Sequence, residues 1–481
     1  MGDWFGPVCP DRLAILYGVE YHANQYSQGG GMTKKFSPEA KSEFYLGTTI
    51  EKLGPCKVDS LLPFNVFADD RRIKLFLDKE HAEELTTPVS VEFEAAGPRK
   101  KLYFDPSRAK CAIVTCGGLC PGINDVIRAL VMEAHHQYKV PAILGISYGL
   151  EGFIPTYRHK VWELTPDMVS DMHLYGGTML GSSRGPQSAE AIVDSLERMN
   201  ISCLFIIGGD GTLKAASAIV KEIRSRGLRI SVIGIPKTID NDINFVPQSF
   251  GFETAVDKAT EAIQCAHTEA EGAHNGIGLV KLMGRESGFI AAQATLSLKE
   301  VNFVLIPEAP FVLDGPGGLL PALEKRLLAR QHAVIVAAEG AGQHLMRQVA
   351  NTDASGNVVL NDVLILLKDA IQGHFKKKGI SIALKTIDPS YIIRSVPANA
   401  NDRVYCGFLG QHAVHAAMAG KTNMVVAKIM DRYVHVPLDL IIRKRRKLNI
   451  YSDFWRAVLE STGQGGLVGM IQEEGGAAEE K

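Results

Sequence analysis

Leu204-Phe205-Ile206-Ile207-Gly208-Gly209-Asp210-Gly211-Thr212 is the stretch from which the rest of the chain is read. Four apolar residues in a row suit a strand buried on both faces, and the glycines end it. Beyond them Ala215, Ala216, Ile219, Val220 and Ile223 recur at helical spacing. Gly227 then suits the left-handed residue after a helix end. Upstream, Ile192, Val193, Leu196 and Met199 mark another helical face; downstream, Ile230 to Ile235 is the next strand. This alternation predicts a parallel α/β sheet covered by helices.

The pattern extends both ways. Cys111-Ala112-Ile113-Val114 is a short strand ending at Gly117-Gly118. A helix follows from Asn124 with Val126, Ile127, Leu130 and Val131 on one face, and Pro141 to Ile146 is another strand. Gly278–Leu282, Asn302–Ile306 and Ala333–Ala337 read as later strands. Residues 1 to 105 differ, with scattered Gly and Pro and few periodic runs. They read as an N-terminal extension packed on the core or on a neighbouring subunit. The Gly/Ala-rich acidic end, Glu473–Lys481, reads as disordered.

With 481 residues, 46% hydrophobic and 22% charged, the chain has the composition of a folded soluble protein of several domains. A net charge of −1 supplies no field for nucleic acid or an anionic membrane. No apolar run reaches the roughly 18 residues of a membrane span. The start has no basic-then-apolar signal pattern, so a cytoplasmic location is expected. The eight cysteines are read as reduced thiols. Cys116 and Cys120 lack nearby soft partners for a metal and are read as inert. The one dense basic run, Arg443-Lys444-Arg445-Arg446-Lys447, is read as a solvated helix end, with anion or nucleic-acid binding as the alternative.

The chemistry lies in the loops. Gly208–Thr212 sits where a strand gives way to a helix, and its N–H groups with the helix dipole favour phosphate. Asp210 would repel that phosphate unless a hard cation such as Mg²⁺ lay between them. The second segment is Pro236-Lys237-Thr238-Ile239-Asp240-Asn241-Asp242. Read as extended, it turns Asp240 and Asp242 the same way, with Lys237 and Mg²⁺ as compensating charges. One Asp then accepts a hydroxyl proton while the other helps position the metal. A polar turn with an Asx cap is the bland alternative. Arg184, within Gly176-Gly177-Thr178-Met179-Leu180-Gly181-Ser182-Ser183-Arg184-Gly185, can stabilise a moving phosphoryl group.

These segments, with Met283-Gly284-Arg285-Glu286-Ser287-Gly288, resemble the signature segments of the 6-phosphofructokinases, in the family's order, from about residue 108 to 465. The resemblance implies an α/β fold of two Rossmann-like parallel-sheet domains. Residues 106–252 plus 393–440 would bind the donor, and 253–392 plus 441–465 the sugar phosphate. The extension 1–105 and a tail 466–481 flank them. It implies transfer of a phosphoryl group to O1 of fructose 6-phosphate, with Asp240 as general base, Asp242 in the same acidic cluster and Asp210 as the Mg²⁺-associated aspartate. Gly118, Arg184, Gly185, Gly209, Asp210, Gly211 and Thr212 match the ATP site. Thr238, Ile239, Met283, Gly284, Arg285 and Glu339 match the sugar site. Lys385, Tyr391, Ile392, Ile393 and Arg394 match the grip on the 6-phosphate. The resemblance also implies a homotetramer, with a dimer as the alternative. One departure stands out: Gly276 replaces an arginine that many bacterial members extend across a subunit boundary.

Two positions bear on the donor. Pyrophosphate-dependent members carry Asp where this chain has Gly211, and an Asp there would intrude on the α-phosphate of ATP. They also carry Lys at the place of Lys237. The mixture resembles an ATP-dependent branch related to the pyrophosphate group, which has long N-terminal extensions. Mg-ATP is therefore the expected donor and pyrophosphate the alternative. Two other readings weigh less. A non-catalytic regulatory subunit would have lost Asp240, Asp210 or the glycine loops. A lipid or nicotinamide-nucleotide kinase would lack the sugar-phosphate positions.

Overall fold

The computed structural model describes residues 47–62, 66–75, 91–347, 352 and 358–464. The expected disordered tail and the first 46 residues of the extension lie outside these. The chain folds around two separate sheets, one of nine strands and one of four.

Five strands in the middle of the large sheet are parallel, in the order Met424–Ile429, Ser231–Pro236, Cys203–Gly208, Lys110–Thr115, Ala142–Ile146. All six residues of Cys203–Gly208 and of Ser231–Pro236 are buried, as strands covered on both faces must be. Helices Ile123–Met132 and Ala400–Met418 pack together on one face. They approach so closely that a Cβ on Gly410 would meet Ala129 Cβ at 2.5 Å. Helices Ala189–Arg198 and Asp210–Ser225 carry the predicted apolar stripes, and Gly227 adopts a φ of 67°.

The extension is structural. Its strands Arg72–Lys74 and Glu92–Ala95 add antiparallel to Arg432–Pro437 at the edge of the large sheet. A buried charge cluster holds them there. Glu94 accepts from Lys421 Nζ at 2.6 Å, His435 Nδ1 at 2.8 Å and Arg99 Nη2 at 3.0 Å. Burial pushes the Glu94 carboxyl up, but the bonds from His435 and Lys421 outweigh it and hold it well below the usual range.

The small sheet is parallel throughout, in the order Phe303–Leu305, His332–Ala338, Gly276–Leu282, Ala383–Ile387. The helix Phe252–Glu271 covers it, its N-terminus capped by buried Asp402, which accepts from the backbone N–H of Gly251 and Thr254 at 2.9 and 2.8 Å. Gln464, after the last helix Asp453–Thr462, bonds both the N–H and the carbonyl of Val304. Gly276 lies hard against the covering helix: a Cβ there would come within 2.0 Å of the Ala270 carbonyl oxygen. The position that lacks the family's arginine thus has no room for a side chain.

In the large sheet the chain runs from Lys110–Thr115 to Ala142–Ile146 on one side, then returns to Cys203–Gly208 on the other. This switch point leaves a crevice at the carboxyl ends, where α/β sheets hold ligands. Register pairs Thr115 with Ile207 and Ile207 with Ile235, so the loops that follow emerge level.

Candidate active site

Glycine-rich segments form the floor of the crevice. Ser182 Oγ donates to the Gly117 carbonyl at 2.7 Å, and the Gly117 N–H donates to Ser183 O at 3.1 Å. Thr115 Oγ1 donates to Gly181 O at 2.6 Å. Gly176 packs directly on the backbone of Ser395, which leaves no space for a Cβ and brings the helix Ser390–Ser395, from much later in the chain, to the same cleft. The cleft, about 520 Å³, is lined by Gly117, Gly118, Gly177, Ser183, Arg184 and Arg394 among others. The Arg184 and Arg394 guanidinium groups approach Gly118 from two sides, 3.5 and 3.9 Å from where its Cβ would be. Two cations beside open backbone form an anion site.

Helix Asp210–Ser225 starts directly at the second glycine loop, with Gly209 as its N-cap. Gly208 is required by contact, since a Cβ would meet the Thr212 side chain at 2.4 Å. Gly211 is exposed and faces open space: nothing lies within 4 Å of its Cβ position. Asp210 bonds Lys214 Nζ at 2.8 Å.

The third loop leaves Ser231–Pro236. Lys237 is buried and donates Nζ to the Gly118 carbonyl at 2.5 Å, tying this loop to the first. Burial lowers its pKa. The extended reading of 240–242 is corrected here. Asn241 adopts a φ of 56°, so the chain turns between the two aspartates. Asn tolerates that region because its side chain bonds locally. Here Asn241 Nδ2 donates to Pro247 O at 3.0 Å, and Oδ1 accepts from the Ser249 N–H at 3.0 Å. The turn separates the carboxylates by role. Asp242 Oδ1 accepts from Thr238 Oγ1 at 2.9 Å. Asp240 Oδ1 is buried without a hydrogen-bond partner. Burial first, then the charges of Asp242 and Glu339, push the Asp240 carboxyl up to about 8. A backbone hydrogen bond from Arg285 opposes this shift but does not cancel it. A carboxyl group that titrates near neutrality, with one oxygen unpartnered, is suited to take a proton.

The small sheet supplies the facing wall. Met283 to Gly288 follows Gly276–Leu282, and Ser287 Oγ donates to the Asp240 carbonyl at 2.9 Å. Glu339 follows the neighbouring strand, level with Met283 because Leu282 pairs Ala338. Gly284, at φ 132°, and Gly340 let these two loops close on each other. Arg285 Nη2 donates to the Val358 carbonyl. Arg394 lies over the exposed Tyr391 ring at 4.8 Å. Ile239 and Ile393 point into the core, and Ile392 is exposed. Lys385 lies apart from this group, exposed in mid-strand and level with Gly278.

The basic run is the residue group that sequence reasoning missed. It is no solvated helix end. Arg445 bridges Ile243 by backbone pairing. Its guanidinium bonds Glu286 at 2.8 Å and lies 3.7 Å from Asp210. It thus joins the glycine-loop helix to the Met-Gly-Arg loop. The Arg446 N–H donates to Asp242 O at 2.7 Å, and its side chain donates to Pro247 O at 2.9 Å while stacking over Phe289. Five cations in a row were visible in the sequence; that they turn back onto the aspartates, 200 residues earlier, was not. Cys116 and Cys120 are buried, and desolvation pushes Cys116 up to about 12, so both are poor nucleophiles. No disulfide forms among the described cysteines.

A mixed sheet with a parallel centre and a parallel sheet, whose carboxyl ends share glycine loops, cations and a buried aspartate, suit a phosphotransferase acting on a small molecule. Residues 110–417 match the family model for phosphofructokinase, and the chain belongs to that family. It is 49% identical to the ATP-dependent 6-phosphofructokinase of Borreliella burgdorferi, over 86% of this chain and 96% of the relative. It is also 49% identical to ATP-dependent 6-phosphofructokinase 7 of Arabidopsis thaliana, over 79% of each chain. A solved pyrophosphate-dependent phosphofructokinase from Marinobacter aquaeolei has the same fold, with a TM-score of 0.60 and 20% identity, over 75% of this chain and 92% of that one. Among the described residues, no helix is long and apolar enough to cross a membrane.

Proposed function

We propose that this chain phosphorylates fructose 6-phosphate at O1 with Mg-ATP, giving fructose 1,6-bisphosphate and ADP in glycolysis. The observation that carries the reading is Asp240: a buried carboxyl group with its Oδ1 unpartnered, between the glycine loops of one sheet and the Met-Gly-Arg loop of the other. Asp240 takes the proton from the 1-hydroxyl as that oxygen attacks the γ-phosphorus. The bond to the ADP oxygen breaks, and charge gathers on the moving group and the leaving oxygen. Arg184 stands beside Gly118 to neutralise that charge. Lys237 holds the Gly118 carbonyl and keeps the two loops in register. Arg394 and Tyr391 grip the 6-phosphate, and Arg285 and Glu339 orient the sugar. Lys385 is exposed away from this group, which suits a role toward a neighbouring subunit of a homotetramer.

Among the described residues, Asp210, Asp240 and Asp242 do not converge into one three-carboxylate ligand set. A Mg²⁺ ion held by Asp210 together with the donor phosphates fits this arrangement, because Mg²⁺ needs only one or two carboxylates. When bound it neutralises β- and γ-phosphate charge. We assign 106–252 plus 393–440 to donor binding and 253–392 plus 441–465 to the sugar phosphate, which follows the division of strands between the two sheets. The open space at Gly211 supports ATP as the donor. Incubating the full chain with fructose 6-phosphate and Mg-ATP tests the reaction: one ADP per sugar 1-phosphate is expected, and ADP without O1 phosphorylation refutes it.

A further inference from the structure

A second group of polar side chains sits at the opposite, amino edge of the small sheet. His267 and Glu271 lie one turn apart near the end of helix Phe252–Glu271, and His332 opens the strand His332–Ala338. One ligand atom from each lies within 4.8 Å of the others. His267 Nε2 is 3.5 Å from Glu271 Oε2, and His332 Nε2 is 4.0 Å from Glu271 Oε1. Glu300 joins from the side, with Oε2 at 3.2 Å from His267 Nε2. The strand length separates this group from Glu339 by about 20 Å at roughly 3.3 Å per residue.

Both rings turn Nε2 toward carboxylates. The Arg330 carbonyl can only accept, so the 3.1 Å contact places the proton of His332 on Nδ1. A neutral His332 then turns its Nε2 lone pair toward a carboxylate. His267 Nε2 faces two carboxylates, while its Nδ1 is buried without a partner. One divalent cation would take the Nε2 lone pairs of both rings and neutralise the carboxylates, while the buried His267 Nδ1–H would have no acceptor. Bonds of about 2.0–2.1 Å in a tetrahedron put ligand atoms about 3.3 Å apart. The imidazole–carboxylate separations are 3.2 to 4.0 Å and the three ligand atoms lie within 4.8 Å of one another, so side-chain rotations would draw them in to that spacing. The Nδ1–H to carbonyl bond of His332 is also the outer-shell contact that fixes a metal-binding tautomer.

We infer that His267, Glu271 and His332, with Glu300 as a fourth donor, form a binding site for a divalent transition-metal ion of the zinc class. Imidazole nitrogens suit such an ion better than Mg²⁺, which separates this site from the nucleotide-associated metal.

The test uses full-length protein stripped by a chelator and titrated with Co²⁺ as the spectroscopic probe. The expected result is one Co²⁺ per chain with the intense visible absorption of tetrahedral nitrogen ligation, abolished by added Zn²⁺. His332→Gln should weaken binding by about 100-fold or more, beyond the range of an outer-shell change. Glu271→Gln, at a half-exposed helix position, provides a variant whose fold is not at risk, and it should also lose the band. Unchanged phosphorylation of fructose 6-phosphate by both variants confirms that they are folded. No intense band with excess Co²⁺, or an equal band in Glu271→Gln, overturns the site.

Discussion

Replacing Asp240 by Asn should make the protein slower and more stable at once, with the stability gain set by pH. The Asp240 carboxyl protonates near 8 instead of its ordinary 3.8 because it is buried beside Asp242 and Glu339. Its folded pKa is raised, so the folded chain keeps a proton that the unfolded chain has released. Stability therefore falls as pH rises between about 4 and 8. At about 1.4 kcal/mol per pH unit, ionising Asp240 costs on the order of 5 kcal/mol above pH 8. Asn is isosteric and escapes that cost. The variant should match the parent in thermal midpoint near pH 4 and exceed it increasingly toward pH 8.5. Loss of a general base should lower kcat by about 10²–10⁴-fold while sugar binding survives. In the parent, kcat/KM should rise with pH through about 8. Melting curves at several pH values, paired with coupled kinase assays, read both effects. Near-normal kcat in Asp240→Asn, or a variant less stable than the parent at pH 8.5, would refute the assignment.

Arg445→Met removes the bridge between Asp210 and Glu286, and a misplaced reacting geometry should cost about 100-fold in kcat with little change in folding; unchanged kcat would show the bridge to be incidental. Gly211→Asp enters open space, so the melting midpoint should stay within about 2 °C while KM for ATP rises steeply; intact ATP kinetics would remove the steric argument. Glu94→Gln leaves buried Lys421 and Arg99 with only the more exposed Asp69 as counter-charge, which should cost up to about 3–5 kcal/mol; a cost below about 1 kcal/mol would mean the network is relaxed by water. Burial holds His412 and His415 down at about 3 and His435 at about 4. The unfolded chain binds these protons first, so each lowers stability as pH drops from about 6.5 toward 4, against raised carboxyls such as Asp125 and Glu133 that act the other way; His412→Gln should therefore lose less stability over that range than the parent, and an unchanged pH slope contradicts it.

The repeated strand–loop–helix units were legible because each is built from local periodicity: the stripe on Asp210–Ser225 and the apolar run Cys203–Gly208 need no distant information. The loops that carry chemistry were legible as motifs because glycine and carboxylate chemistry is local too. What escaped was tertiary. The strands Arg72–Lys74 and Glu92–Ala95 read as irregular extension because their partner is Arg432–Pro437, more than 300 residues away. The turn at Asn241 depends on Ser249 and on Arg446 from the far end of the chain. The basic run at 443–447 looked like a solvated face because sequence shows charge but not the carboxylates it will meet. Gly276 read as a lost arginine, whereas the Ala270 carbonyl leaves it no room for a side chain.

The proposed donor choice rests on Gly211, whose open position leaves room for ATP although Lys237 is shared with pyrophosphate-dependent members. The most direct measurement compares the two donors in one coupled assay, with fructose 6-phosphate, Mg²⁺ and the unmodified full-length chain. Turnover with ATP and scarcely any with pyrophosphate is the expected result. Equal or faster turnover with pyrophosphate would contradict it.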